Sequence, residues 1–408
     1  MSTEVVVIGG GYAGVVAANR LRKRDDVTVT LVNPRGTFVE RIRLHQLAAG
    51  TDDAVVDYAD VLGTGVRLVV DTVARIDAAG RSVELASGDR LHYDYLIYAV
   101  GSRSPESRVP GVAEFGYPVD SLEQAHRLRA VLDATDRSAP VTVVGGGPTG
   151  IETAAELGEA GRRVTLVCGG VLGPYLHGKG RRAVAKRLAR LGVTVLEGAG
   201  ATVAAVTSDT VTLADGRELP SAVTIWAAGF GVPDLARRSG LATDAAGRLL
   251  TDETLTSVDD ERIVAAGDAA APSDQPMRMS CQAALPLGAQ AAETVLSRLA
   301  AAEPKPVSLG FVGQCLSLGR RSGLVQLAGK DDVARGFYVG GRLSAVVKET
   351  VCKQTVSALV KEARRPGSLS WFTDRSRQRR MADQQELVDR QDVVPQPGAG
   401  RVTETAQR

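Results

Sequence analysis

The chain repeats one signature, and that repeat limits its fold more than any other feature. An apolar strand leads through a glycine-rich turn into an alanine-rich helix, and a second apolar strand follows. One copy, EVVVIGGGYAGVVAANRLRKRDDVTVTLVNP, starts at Glu4 and the other, APVTVVGGGPTGIETAAELGEAGRRVTLVCGG, at Ala139; Gly145 follows Gly9 by 136 residues. Apolar runs that do not alternate belong to strands buried on both faces, as in a parallel sheet covered by helices. A period that long excludes a short-repeat array and predicts two doubly wound α/β domains. The 44% apolar and 24% charged content fits a globular chain of 408 residues, long enough for two or three domains.

Gly9, Gly11 and Gly14 form a GxGxxG between strand and helix, and Gly145, Gly147 and Gly150 form a second. The first glycine of such a turn permits the tight bend, and the second lets the backbone approach a pyrophosphate. The third lets helix and strand pack closely, with the positive helix end toward the phosphates. The pair predicts two dinucleotide sites. At the end of the following strand, where an acid ordinarily holds the ribose hydroxyls, stand Asn33 and Cys168. Asn33 retains the capacity to hydrogen-bond a ribose. Cys168, followed by Gly169 and Gly170, does not, so the sequence leaves the choice between NADH and NADPH open. Arg162, Arg163, Arg181 and Arg182 read either as solvated surface charge or as partners for a 2′-phosphate.

In the order and content of these motifs the chain resembles the two-dinucleotide-binding-domain flavoproteins of the pyridine nucleotide–disulfide oxidoreductase superfamily. VVVIGGGYAG is similar to their FAD turn and VTVVGGGPTGIE to their nicotinamide-nucleotide turn. YDYLIYAVGS and VTIWAAGF are similar to their crossover strands, and IVAAGDAA completes the set, over roughly residues 4–302. The resemblance implies FAD on the first domain and NADH or NADPH on the second. It also implies that Asp268 contacts the ribityl–pyrophosphate region and that Gly101 and Gly229 end the crossover strands beside the nucleotides. Val73 would lie against the adenine, and Glu152 near bound nicotinamide.

Cysteine content narrows the chemistry. A disulfide reductase needs a CxxxxC pair, and NADH peroxidases and oxidases need one Cys after the second strand. FVERIRLHQLAAG at 38–50 contains none, and Cys168, Cys281, Cys315 and Cys352 are far apart in sequence. The flavin then stands as the only redox centre, between a nicotinamide donor and an acceptor. No catalytic acid–base residue and no metal site is expected, and His45 and His177 read as structural. RMSCQAALPLGAQAAETVLSRL, from Arg278, predicts a helix from Pro286 to Ala302 with its N-terminus toward the flavin. Its place after GDAA resembles that in type II NADH dehydrogenases of actinobacterial type, whose quinone lies near this helix. Gln282, Ala283 and Ala284 are the candidates here. The resemblance implies reduction of a quinone-like acceptor by NAD(P)H. The alternatives are a ferredoxin or rubredoxin reductase and a slow redox-sensing flavoprotein similar to apoptosis-inducing factor. A sulfide:quinone oxidoreductase would need cysteines converging on the flavin, and the intact second GxGxxG favours a nicotinamide donor.

The expected division is a first FAD-binding part at 1–115, an NAD(P)-binding domain at 116–239 and a second FAD-binding part at 240–302. A C-terminal region follows at 303–380, and a disordered tail at 381–408. The fold class is therefore α/β, two Rossmann-like doubly wound domains with a C-terminal α+β extension. Short β-type runs within 51–100 and 193–229 predict a small meander in each domain. Residues 341–380 carry ten Lys and Arg against three acids, with a helix expected at 344–363 and Trp371 and Phe372 ahead of four arginines. Such a segment either meets an anionic lipid surface, packs on the core or joins a second copy of the chain as a homodimer. Scattered cysteines and a start without a basic leader predict a cytoplasmic protein, peripheral on the inner face of the cell membrane if the basic segment binds lipid. A net charge of +2 gives no argument for nucleic acid.

Overall fold

The computed structural model describes residues 2–382. The first domain opens with β1 (Thr3–Ile8), α1 (Tyr12–Leu21), β2 (Val27–Asn33), a short α2 (Leu44–Ala49), β3 (Val66–Val70) and β4 (Tyr95–Tyr98). The second comprises β5 (Gly116–Pro118), β6 (Pro140–Val144), α3 (Pro148–Glu159), β7 (Arg163–Val167), α4 (Gly178–Arg190), β8 (Thr194–Leu196) and β9 (Val223–Trp226). The chain then re-enters the first domain with β10 (Ile263–Ala265) and α5 (Cys281–Leu299).

Each domain is built on a five-stranded parallel sheet, in the orders β10-β4-β1-β2-β3 and β5-β9-β6-β7-β8. Val5–Ile8 are all buried, as the unbroken apolar run requires of a strand covered on both faces. The antiparallel meanders fall at 73–92 and 203–220, where alternation placed them. Helix α1 lies directly on α5. A Cβ on Gly288 would stand 2.2 Å from the Ala13 carbonyl oxygen, so only glycine permits that approach.

Helix α5 begins five residues before Pro286, which corrects the predicted start. The side chain of Ser280 caps it by accepting from the Ala283 N–H at 3.3 Å. Pro286 consequently sits in the second turn, where it forfeits one backbone hydrogen bond, and the cap offsets part of that cost.

The C-terminal region is an antiparallel sheet of β11 (Gly313–Ser317), β12 (Gly323–Ala328) and β13 (Ala334–Gly341), followed by α6 (Arg342–Arg364). Much of its positive charge is spent internally. Lys348 pairs with Glu152 at 3.0 Å, Arg377 with Glu253 at 2.9 Å and Arg380 with Asp374 at 2.6 Å. Trp371 donates to the Ser308 carbonyl and lies beneath the Arg20 guanidinium. Phe337, Leu343 and Val346 stay exposed, each above 60%. Among the described residues no helix is long and apolar enough to cross a membrane. The expected disordered tail lies outside the described residues, apart from Met381 and Ala382.

Candidate active site

The two glycine loops divide their work in the same way. In the first, a Cβ on Gly9 would stand 2.3 Å from the Ala99 carbonyl oxygen, and one on Gly14 would stand 1.8 Å from that of Gly9. In the second, a Cβ on Gly145 would lie 2.5 Å from the Ala227 oxygen, and one on Gly150 would lie 1.9 Å from that of Gly145. These four glycines are demanded by packing, and Gly9 and Gly145 also by positive φ. Gly11 and Gly147 differ. A Cβ there would meet no atom within 4 Å, so each loop leaves an open cradle at its middle glycine.

Both cradles open onto one cleft of about 1830 Å³, larger than the ~1,000 Å³ at the upper end of a drug-sized pocket. Gly9, Gly11, Asn33, Gly101, Gly147, Glu152, Gly229, Asp268 and Ala284 line it. The structure places Gly14, Gly145 and Gly150 behind the wall and Val73 in the core, 6% exposed. Thr72, the residue before the strand, lines the cleft beside it. Asn33 is already engaged: its side-chain oxygen accepts from the Gly10 N–H at 3.0 Å and its amide donates to the Arg35 carbonyl at 2.9 Å. It therefore shapes the loop that forms the cradle. Asp268 accepts from the Ser102 hydroxyl at 2.7 Å, and Ser102 accepts from Arg41 at 3.1 Å. The open cradle at Gly11, this Asp268 carboxylate and the capped start of α5 at Ala284 fit an FAD laid along the first domain.

Where the two domains meet the C-terminal region, the cleft holds a charged cluster. Glu152 is 6% exposed; it takes the Lys348 ammonium at 3.0 Å and the Ser317 N–H at 2.8 Å, and its other oxygen lies 3.9 Å from His45 Nδ1. Burial acts to raise Glu152, but Lys348, His45 and the Ser317 N–H prevail and hold it below its ordinary range. Lys348 is held above its own ordinary range even though it is buried, chiefly by Glu152. Burial pushes His45 down to about 4, so its imidazole is neutral at physiological pH. The nearby Arg43 fastens α6 to the α2 segment through Glu349 at 2.8 Å and Gln46 at 2.9 Å.

Sequence reasoning placed Glu152 near this spot but missed Lys348, one base among ten in its segment, and gave His45 no site. No spacing rule connects positions 45, 152 and 348, since three separate elements deliver them. Cys281, Cys315 and Cys352 also line the cleft, and burial pushes all three thiols up. Gln282 holds the loop before β11, its amide donating to the Gly313 carbonyl at 3.2 Å and accepting from the Val312 N–H at 3.1 Å. His177 caps α4 by accepting from the Lys179 N–H.

The model of the family described as pyridine nucleotide-disulphide oxidoreductase matches residues 3–288. An NADH dehydrogenase-like protein of Mycobacterium tuberculosis is 34% identical over 325 residues, spanning 73% of this chain and 81% of that protein. The type II NADH:quinone oxidoreductase of Haemophilus influenzae is 30% identical, over 66% of this chain and 73% of its own length. Among solved structures, the sulfide:quinone oxidoreductase of Aquifex aeolicus superposes with a TM-score of 0.75 at 20% identity, covering 88% and 92% of the two chains. That likeness speaks for the fold alone.

Proposed function

Because the chain belongs to the pyridine nucleotide-disulphide oxidoreductase family, we propose that this oxidoreductase binds FAD in the first domain and NADH in the second, and reduces a quinone. The observation that carries the reading is the single cleft that both cradles share, with the Glu152–Lys348 pair at the junction. Bound FAD supplies a two-electron centre between a nicotinamide donor and the acceptor. Gly11, Asp268 and Ala284 would hold it, and Gly147 would take the pyrophosphate of the nicotinamide nucleotide.

NADH is the donor this site favours. Glu197, at the end of the strand beside Cys168, accepts from the Leu172 N–H at 2.6 Å, and with burial it pushes the Cys168 thiol up to about 12. A carboxylate at that corner repels a 2′-phosphate. Arg162, one candidate for receiving that phosphate, instead donates to the Leu132 and Thr135 carbonyls.

The acceptor end is apolar. Ile42, Leu285, Val312, Leu316, Leu327 and Val347 line the cleft there, a surface suited to a quinone ring. Glu152 and Lys348 line the same cleft, and we assign the Lys348 ammonium as the proton donor to a quinone oxygen. Anaerobic bleaching near 450 nm tests the reading. NADH should bleach the yellow protein at least 10-fold faster than NADPH, and menadione should restore the colour promptly. Colour that menadione leaves unrestored would refute the quinone step.

Phe337, Leu343 and Val346, flanked by the exposed Arg335 and Arg342, form the surface suited to an anionic bilayer. Flotation with vesicles containing anionic lipid should carry the protein upward, and L343D/V346D should leave it at the bottom. Equal flotation of the two would remove the membrane contact from the reading.

A further inference from the structure

Reduction of a quinone by NADH consumes one proton from solvent per turnover: NADH, the quinone and H⁺ give NAD⁺ and the quinol. Lys348 and Glu152 are buried, with side chains 12% and 8% exposed. A proton spent there has to be replaced from outside.

Glu156 lies one turn beyond Glu152 on α3, on the same face of the helix. It is 3% exposed, and one carboxylate oxygen accepts from the hydroxyl of Thr51, a residue at the surface, at 2.7 Å. Its other oxygen is buried with no partner, and so is Nε2 of His45. Both side chains stand where α2 packs against α3, and His45 Nδ1 lies 3.9 Å from Glu152. Two orphaned polar atoms in one interface are ordinarily destabilising. Such atoms persist where they have a role or hold a water.

We propose that Thr51, Glu156 and His45 form a proton-uptake line that recharges the Glu152–Lys348 pair from solvent. The inference rests on the quinone reading above. Glu156 faces Glu152 and Glu159 on its own helix and Arg320 from the C-terminal region; His45 faces Glu152, Lys348, Arg320 and Arg43. Burial raises Glu156, while the Thr51 hydroxyl and Arg320 act to lower it. The imidazole gives a proton from one ring nitrogen while taking one at the other, so no net charge is left in the interface. Arg320, 36% exposed and 3.8 Å from Glu156, marks the solvent end.

Half-reactions measured separately by stopped flow test this in E156Q and T51V. Flavin reduction by NADH takes no proton from this line and should stay within 2-fold of wild type. Reoxidation by menadione should slow at least 10-fold in both variants, with proton uptake followed by an indicator dye delayed to the same extent. A second readout needs no turnover: followed as pH falls, the infrared C=O band of a buried carboxyl should appear at higher pH than that of a free glutamate in wild type and be missing in E156Q. Wild-type rates in both half-reactions, or an equal loss in both, would overturn the relay. A wild-type protein whose flavin menadione cannot reoxidise would instead refute the quinone reading, and the relay with it.

Discussion

Gly11→Val is expected to give a folded but colourless protein, and Gly147→Val a yellow one that NADH no longer bleaches. The backbone at both positions is extended, with φ −80° and ψ −168° at Gly11 and φ −80° and ψ 179° at Gly147, which valine adopts without strain. Neither new Cβ meets a protein atom, so the unfolding temperature should move by no more than a few degrees. The added methyls occupy the space left for a pyrophosphate, and overpacking of about 3 kcal/mol corresponds to a loss of roughly 100-fold in affinity. Gly14→Val makes the contrast, because its Cβ would stand 1.8 Å from a backbone oxygen that cannot yield. That variant should fail to accumulate as folded protein. Flavin absorbance, NADH titration and thermal melts decide all three, and a Gly11→Val protein that stays yellow would sink the assignment of the first cradle.

Lys348→Met should cost about 3–5 kcal/mol near neutral pH, because it leaves the Glu152 carboxylate buried without its cation. The loss should depend on pH in a defined direction. In the wild type Glu152 is held below its ordinary value of 4.5, so its contribution is fully present above that value and fades as pH falls through the depressed one. Without Lys348, burial governs and the carboxyl takes up a proton more readily. The penalty should then be largest at pH 8 and shrink toward pH 5. His45 adds a background set chiefly by its burial and in smaller part by Lys348. Its value falls from 6.5 unfolded to about 4 folded, so the unfolded chain binds the extra proton between those limits and stability falls by on the order of 3 kcal/mol on acidification. Comparing wild type with K348M at each pH removes the part due to burial and leaves the smaller part due to Lys348. A difference independent of pH would show that Lys348 contributes packing alone. K348M/E152Q should recover most of the loss.

The parallel cores, the two cradles and both meanders were legible because each is written in a contiguous stretch of chain. A glycine that must bend, and one that must leave room, advertise themselves by spacing. The start of α5 was misplaced because Pro286 suits an early helical position and so pointed to a later start than the Ser280 cap sets. The charged cluster was hidden for a different reason. Lys348 and His45 gain their meaning only when α6 folds back against α2 and α3, and no local pattern records that return.

That the second domain is interposed in the first has a consequence for biosynthesis. Strand β4 waits for β10 as its edge partner across about 165 intervening residues, on the order of ten seconds or more of translation. The domain made second closes its sheet from contiguous chain between 116 and 226 and so completes first. Until α5 emerges, the apolar face of α1 has nothing to cover it, and the nascent chain is most exposed to aggregation in that interval. The strap formed by Trp371 on Arg20 and Arg377 on Glu253 lies beyond α5 in the chain, so the first domain is fastened only after α5 has been made.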